Sequence, residues 1–326
     1  SVCIAFAFIG ILFLSLSSKN TTVEGGQLFF TEFIKHAKEL NPIWLKASFI
    51  FIFIGLSTKI GIAPMHSGDV DATANAPSPI AALMSGSLRL TALIGVLRIF
   101  SIIKLTQSFQ FARTLLIIGA VISLIAAFVY MFKASNYKRM LAYSSVEHLG
   151  IITLGIGIGN LAFLGALLHA FYNSVCKIIL FLSAGKIHWF YGSREVNKVN
   201  GVLKYFPITG WLFIVAYLAI SGVPPFGIFF SELTIFEGIF VSDYPLILVF
   251  IMFTLLFIFI NMGKVTFNMV YKEDEDTKIS DKKDSFDIIN VVSVLLIIML
   301  IVVAAVASQF LIPNLVQITK AFGYNL

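Results

Sequence analysis

The chain has 326 residues, 58% of them hydrophobic and only 12% charged, with a mean hydropathy of +0.94. Soluble domains carry about 25% charged residues, so the composition excludes a soluble domain and implies a polytopic membrane protein, whose long apolar runs are expected to make it all-α. The net charge of +6 reads as a topology signal and as contact with anionic lipid headgroups, not as a nucleic-acid patch.

Taken in chain order, the sequence opens in apolar residues, Ser1-Val-Cys-Ile-Ala-Phe, without Met or a charged leader. The expectation is a chain that starts at a transmembrane helix, with sequence missing upstream. A span needs about 20 apolar residues, and about nine candidates follow: 1–18, 43–65, 78–101, 112–134, 138–158, 160–185, 205–239, 243–271 and 287–312. Residues 24–41 are amphipathic, with Leu28, Phe29, Phe33 and Ile34 against Glu32, Lys35, Lys38 and Glu39, and are predicted to lie at the interface. Residues 205–239 are long for one span and carry Ser221-Gly-Val-Pro-Pro-Phe-Gly227, which predicts a discontinuous helix. Residues 66–78 read as a loop, 272–284 as a solvated mixed-charge loop, and 313–326 as a short tail. Lys and Arg bias puts loops 66–78, 134–138, 186–204 and 272–286 in the cytoplasm. Cys3 and Cys176 lack metal-ligand spacing and imply no disulfide framework.

The ionisable residues inside apolar runs are the functional signal, because a charge at membrane depth costs several kcal/mol unless it meets a partner or water. Lys59 follows Phe49-Ile-Phe-Ile-Phe-Ile-Gly-Leu-Ser-Thr and precedes Gly61 and Pro64. Its expected anionic partner is remote in the chain or in missing sequence, since the nearest acids, Asp69 and Asp71, are read as loop residues. His169, Asn173 and Lys177 recur at four-residue spacing and share one helix face. Such a stripe can relay protons through water, or it can be polar glue between helices. Glu147-His148 lies within a span, but adjacent residues point to different faces and need not pair. Glu232, seven residues past Pro225, suits a proton acceptor beside unwound backbone; the alternative is an acid at the membrane face. Arg89 lines the same polar path or snorkels. No phosphate-cradling loop, Gly-x-Ser-x-Gly, His-Glu-x-x-His or Cys-x-x-Cys is present, so no catalytic or redox centre is expected in this chain.

Several of these motifs resemble the antiporter-like proton-translocating subunits of complex I, Mrp antiporters and membrane-bound hydrogenases. They are Lys59-Ile-Gly-Ile-Ala-Pro-Met-His66, Ala76-Pro-Ser-Pro-Ile-Ala-Ala-Leu-Met-Ser-Gly86, Tyr137-Lys-Arg-Met-Leu-Ala-Tyr-Ser-Ser145, Cys176-Lys-Ile-Ile-Leu-Phe-Leu-Ser-Ala-Gly185 and Ser221 to Glu232. Ser145-Val-Glu-His-Leu-Gly150 is most similar to the hydrogenase-4 component F and formate hydrogenlyase branch. The resemblance implies the later part of a fourteen-helix fold with two inverted repeats. Residues 1–111 would complete the first repeat, 112–271 form the second, and 272–326 add a charged loop, last span and tail. It implies that Lys59 is the pump lysine of the first repeat, Lys177 the central lysine of the second, Glu232 its exit acid and His169 a relay histidine. With His148, Glu147, Lys138 and Arg89 these make up the expected proton path. Departures are Ser67-Gly-Asp-Val-Asp-Ala where the family has Trp-Leu-Pro-Asp, Asn173 for a second histidine, and Leu90 at a polar position with Arg89 one residue earlier. The expected function is a proton-translocating, or Na⁺-linked, membrane-arm subunit of a group 4 [NiFe]-hydrogenase-type complex in the cytoplasmic membrane. The [NiFe] and Fe–S centres would lie in partner subunits of a peripheral redox arm. The alternatives are a complex I relative, an Mrp-type antiporter subunit and a structural scaffold.

Overall fold

A computed structural model describes residues 2–18, 29–132, 134–272 and 287–324, and these are almost entirely helical. The apolar spans become α1 (Val2–Ser17), α3 (Pro42–Ile60), α5 and α6 (Ser78–Leu83 and Arg89–Lys104), α7 (Phe109–Met131), α8 (Tyr137–Ile158), α9 (Asn160–Tyr191), α11 and α12 (Pro207–Ile220 and Gly227–Phe240), α13 (Pro245–Tyr271) and α14 (Ile288–Ala321). Shorter helices are α2 (Phe30–Lys35), α4 (Ser67–Asn75) and α10 (Val202–Tyr205). Among the described residues, seven helices are long and apolar enough to cross a membrane, and the shorter apolar Cys3–Ser17 and Pro207–Ile220 add to them. The protein is an integral membrane protein.

Local chemistry sets the boundaries. Asn41 Oδ1 accepts from the Ile43 N–H at 3.0 Å, and Pro42 occupies the first turn of α3, where its missing N–H costs nothing. Gly61 ends α3 in the left-handed region at φ 89°, which a residue with a Cβ enters only at a cost. Asn136 caps α8 through the Arg139 N–H at 3.1 Å, and Asp287 caps α14 through the Asn290 N–H at 3.1 Å.

α8 and α9 form the centre of the bundle. α8 is buried along nearly its whole length between α7 and α9, and α9 in turn packs against α12, α11, α14 and α5. A helix buried all round cannot show a polar outer face, so its few polar residues must find partners inside the protein.

The predicted break in 205–239 is present: α11 stops at Ile220 and α12 starts at Gly227. Three readings change. Residues 67–75 are a helix, not a loop. The last helix does not stop near 312; it runs through Pro313 to Ala321, because a proline inside a helix removes one hydrogen bond without having to end it. The described part of the interfacial segment is two short turns, α2 and Ala37–Glu39. Phe33, Ala37 and Leu40 are buried in the core, while Glu32 and Lys35 pair outside at 2.8 Å. Leu28 and the charged loop 273–284 lie outside the described residues.

Candidate functional site

Lys177 projects from the middle of α9 and is fully buried. Its ammonium donates to the Leu141 carbonyl at 3.0 Å and to the Ser144 hydroxyl, both on α8. Glu147 follows Ser144 by three residues, so it lies one turn further along the same face. Glu147 is buried and is an electrostatic neighbour of Lys177. The adjacent His148 turns to α9, where its Nδ1 meets His169 Nε2 at 3.0 Å. Adjacent helix residues were expected to face different ways, yet Glu147 and His148 line one cavity and belong to one polar seam.

The seam continues into α12. His169 Nδ1 lies 3.0 Å from Ser231 Oγ. Ser231 spends its single O–H on the Ile228 carbonyl at 2.8 Å, so its oxygen can only accept from the histidine. His169 therefore carries its proton on Nδ1, and its bare Nε2 accepts from the Nδ1–H of His148. The direction of the whole chain follows from one hydroxyl. Glu232 follows Ser231 at the broken helix, and ligand atoms of His148, His169 and Glu232 all lie within 4.8 Å of one another. Glu147, His148 and Glu232 share a cavity of about 40 Å³, completed by Ser221 and by Ile258, Phe259 and Met262 of α13.

Asn173 sits one helical turn from both His169 and Lys177. Its side chain is buried, and its Oδ1 has no hydrogen-bond partner among the described residues. It bridges the stretch of α9 between the lysine and the histidine pair.

Arg89 neither snorkels nor touches Lys177 directly. It is buried, and its Nη2 donates to Asp69 at 2.5 Å and to Thr73 Oγ1 at 3.2 Å. It acts electrostatically on Lys177. Met84–Leu88 forms a π turn just before it. Leu90, beside the buried Arg89, is half-buried.

Two further expected site residues are Lys59 and Lys138. Lys59 is exposed on α3, and no ion pair involving it occurs among the described residues. Asp69 is taken by Arg89 and Asp71 by Arg139 at 2.8 Å. Lys138 is buried and donates at 2.7 Å to the Ala76 carbonyl at the end of α4. A cation satisfies a helix C-terminus there. Sequence reasoning missed Ser144, Ser231, Asp69 and Thr73. Ser231, next to Glu232 and past the Gly/Pro break, had the clearest signal; the other three are visible only once α4 is packed with α6, and α8 with α9.

Residues 3–258 match the family described as NADH:quinone oxidoreductase/Mrp antiporter, TM. The chain belongs to this family. A hydrogenase-4 component F homolog of Methylacidiphilum infernorum is 34% identical over 241 residues, covering 73% of this chain and 51% of that protein. Formate hydrogenlyase subunit 3 of Escherichia coli is 30% identical over 212 residues, covering 61% of this chain and 34% of that protein. The chain thus spans about half of the length of the first of these relatives and a third of the second. A solved structure of the membrane-bound sulfane sulfur reductase, an archaeal respiratory membrane complex, contains a chain with a TM-score of 0.86 at 21% identity, covering 99% of this chain and 64% of that one. A chain of respiratory complex I from Thermus thermophilus gives 0.82 at 21% identity, with 98% and 66% covered. These likenesses show the antiporter-like membrane subunit fold.

Proposed function

We propose that this chain is the proton-translocating part of a membrane-arm subunit in a group 4 [NiFe]-hydrogenase-type complex of the cytoplasmic membrane. The observation that carries the reading is the buried polar seam from Lys177 through Ser144 and Glu147, and through His148, His169 and Ser231 to Glu232. Nothing in an apolar bundle needs such a row for stability, since buried charges seldom repay their desolvation. A row of lysine, histidines and carboxyls is what proton transfer at membrane depth requires. Redox work in a peripheral arm would alter charge pairing near Arg89 and Lys177. The proton on Lys177 would then move by way of Asn173-associated water and the His pair to Glu232.

The hydrogenase assignment is supported by the relatives, among them proteins called hydrogenase-4 component F homolog, formate hydrogenlyase subunit 3 and hydrogenase-4 component B. On this reading the [NiFe] and Fe–S centres belong to partner subunits. A complex I relative or an Mrp-type antiporter subunit would use the same seam with different partners, and Na⁺-dependent transport would favour the latter.

The test is proton transfer in vesicles holding the assembled complex. Lys177→Ala should abolish it while leaving assembly intact, and full coupling in that variant would overturn the reading. Mass spectrometry of the gently purified complex checks the partners: hydrogenase large and small subunits are expected, and NADH-module or Mrp subunits would move the chain to another branch.

A further inference from the structure

The same seam holds a donor set with a second chemistry. We propose that His148, His169 and Glu232 form a zinc-ion site, and that Zn²⁺ bound there blocks proton passage; the blocking rests on the relay reading above, whereas the binding does not. The two imidazole nitrogens are 3.0 Å apart, close to the roughly 3.3 Å expected for two nitrogens each about 2.0 Å from a tetrahedral ion. One ligand atom from each of His148, His169 and Glu232 lies within 4.8 Å of the other two. Two histidines and one glutamate leave a fourth position open, as zinc sites with three protein ligands do.

The surroundings fit a dication. Glu147 shares the small cavity with His148 and Glu232, so two carboxylates can balance the two positive charges. Ser231 accepts from His169 Nδ1, which holds the ring with Nε2 presented as a bare ligand, the usual service of a hydrogen-bond partner behind a metal-bound histidine. His148 would move its proton from Nδ1 to Nε2 on binding and stay neutral. Nitrogen donors select a borderline transition ion over Na⁺, Mg²⁺ or Ca²⁺, which want oxygen.

The experiment uses the tag-free chain purified in detergent within its native assembly, titrated with Co²⁺ alone as a coloured substitute and then with Zn²⁺. The expected result is one Co²⁺ per chain with visible d–d absorption, bleached by Zn²⁺. Ser231→Ala should weaken binding about tenfold or more. His148→Gln and His169→Gln should each abolish the bands, with helical circular dichroism unchanged. His188→Gln, 19 residues further along α9, should change nothing. No stoichiometric band, or a band that survives the double His148→Gln, His169→Gln variant, overturns the site. Loss of the band in His148→Gln with undiminished proton transfer would leave the metal site standing and overturn the relay instead.

Discussion

Arg89 meets Asp69 at 2.5 Å with the two side chains only 1% and 3% exposed. The pair joins α6 to α4, two elements on either side of the α5 turn, and closes over the left-handed end of α3. A Cβ on Gly61 would come within 3.1 Å of the Asp69 carboxylate, so the glycine both ends the helix and leaves room for the acid.

Removing one half of a buried pair strands the other charge, a loss of about 3–5 kcal/mol, whereas replacing both with apolar groups is often close to neutral. Asp69→Asn is therefore expected to lower the thermal unfolding midpoint strongly, and Asp69→Asn with Arg89→Leu to recover most of it. A double variant as unstable as the single one would show that the pair does more than neutralise itself.

Asn173 separates Lys177 from His169 by one turn on each side. Asn173→Leu should keep the fold and cut proton transfer in vesicles at least tenfold. Asn173→His, which restores a titratable group, should retain it. Equal rates in wild type and Asn173→Leu would remove this residue from the path.

Gly222 takes φ 67° in the break between α11 and α12, and a Cβ there would come within 2.5 Å of a Glu232 carboxylate oxygen. Gly222→Ala should cost about 1–2 kcal/mol for the backbone alone and displace the carboxylate. Proton transfer should fall more than it does in Gly68→Ala, where a Cβ meets nothing within 4 Å.

Asp287 lies outside the spans. Partial burial pushes its carboxyl up, but the Asn290 N–H and Lys186, at 3.2 Å, outweigh this and hold it below the usual carboxylate range. A depressed carboxylate contributes stability above its unfolded pKa of about 3.9 and loses that contribution as pH falls through the folded value. Loss of the cap costs about 0.5–2 kcal/mol. Asp287→Ala should therefore melt earlier than wild type at about pH 7, and the gap should shrink steadily below about pH 4.

The spans were legible because apolar runs of sufficient length have few alternatives, and the Gly/Pro cluster at 221–227 announced the broken helix. Ser67-Gly-Asp-Val-Asp-Ala was not legible as helix. Its local chemistry favours a turn, and what holds it is the Arg89–Asp69 pair together with Lys138 and Arg194 at its end. The stripe of His169, Asn173 and Lys177 was readable from spacing within one helix. The union of that stripe with Glu147, His148 and Ser231 was not, since it depends on how three helices pack. Lys59 shows the converse: an apolar neighbourhood in sequence did not place it inside the described bundle.

The length of α14 has a mechanical consequence. At about 1.5 Å per residue, its 34 residues outrun a single crossing, and they reach α9 at both ends. Asp287 at the start grips Lys186, while Phe322 and Tyr324 past the other end press their rings on Phe163 at 5.0 and 5.1 Å. One rod thus splints the helix that bears Lys177 and His169, fixing the distance between its ends. Any motion that passes along α9 must bend this splint or slide beneath it.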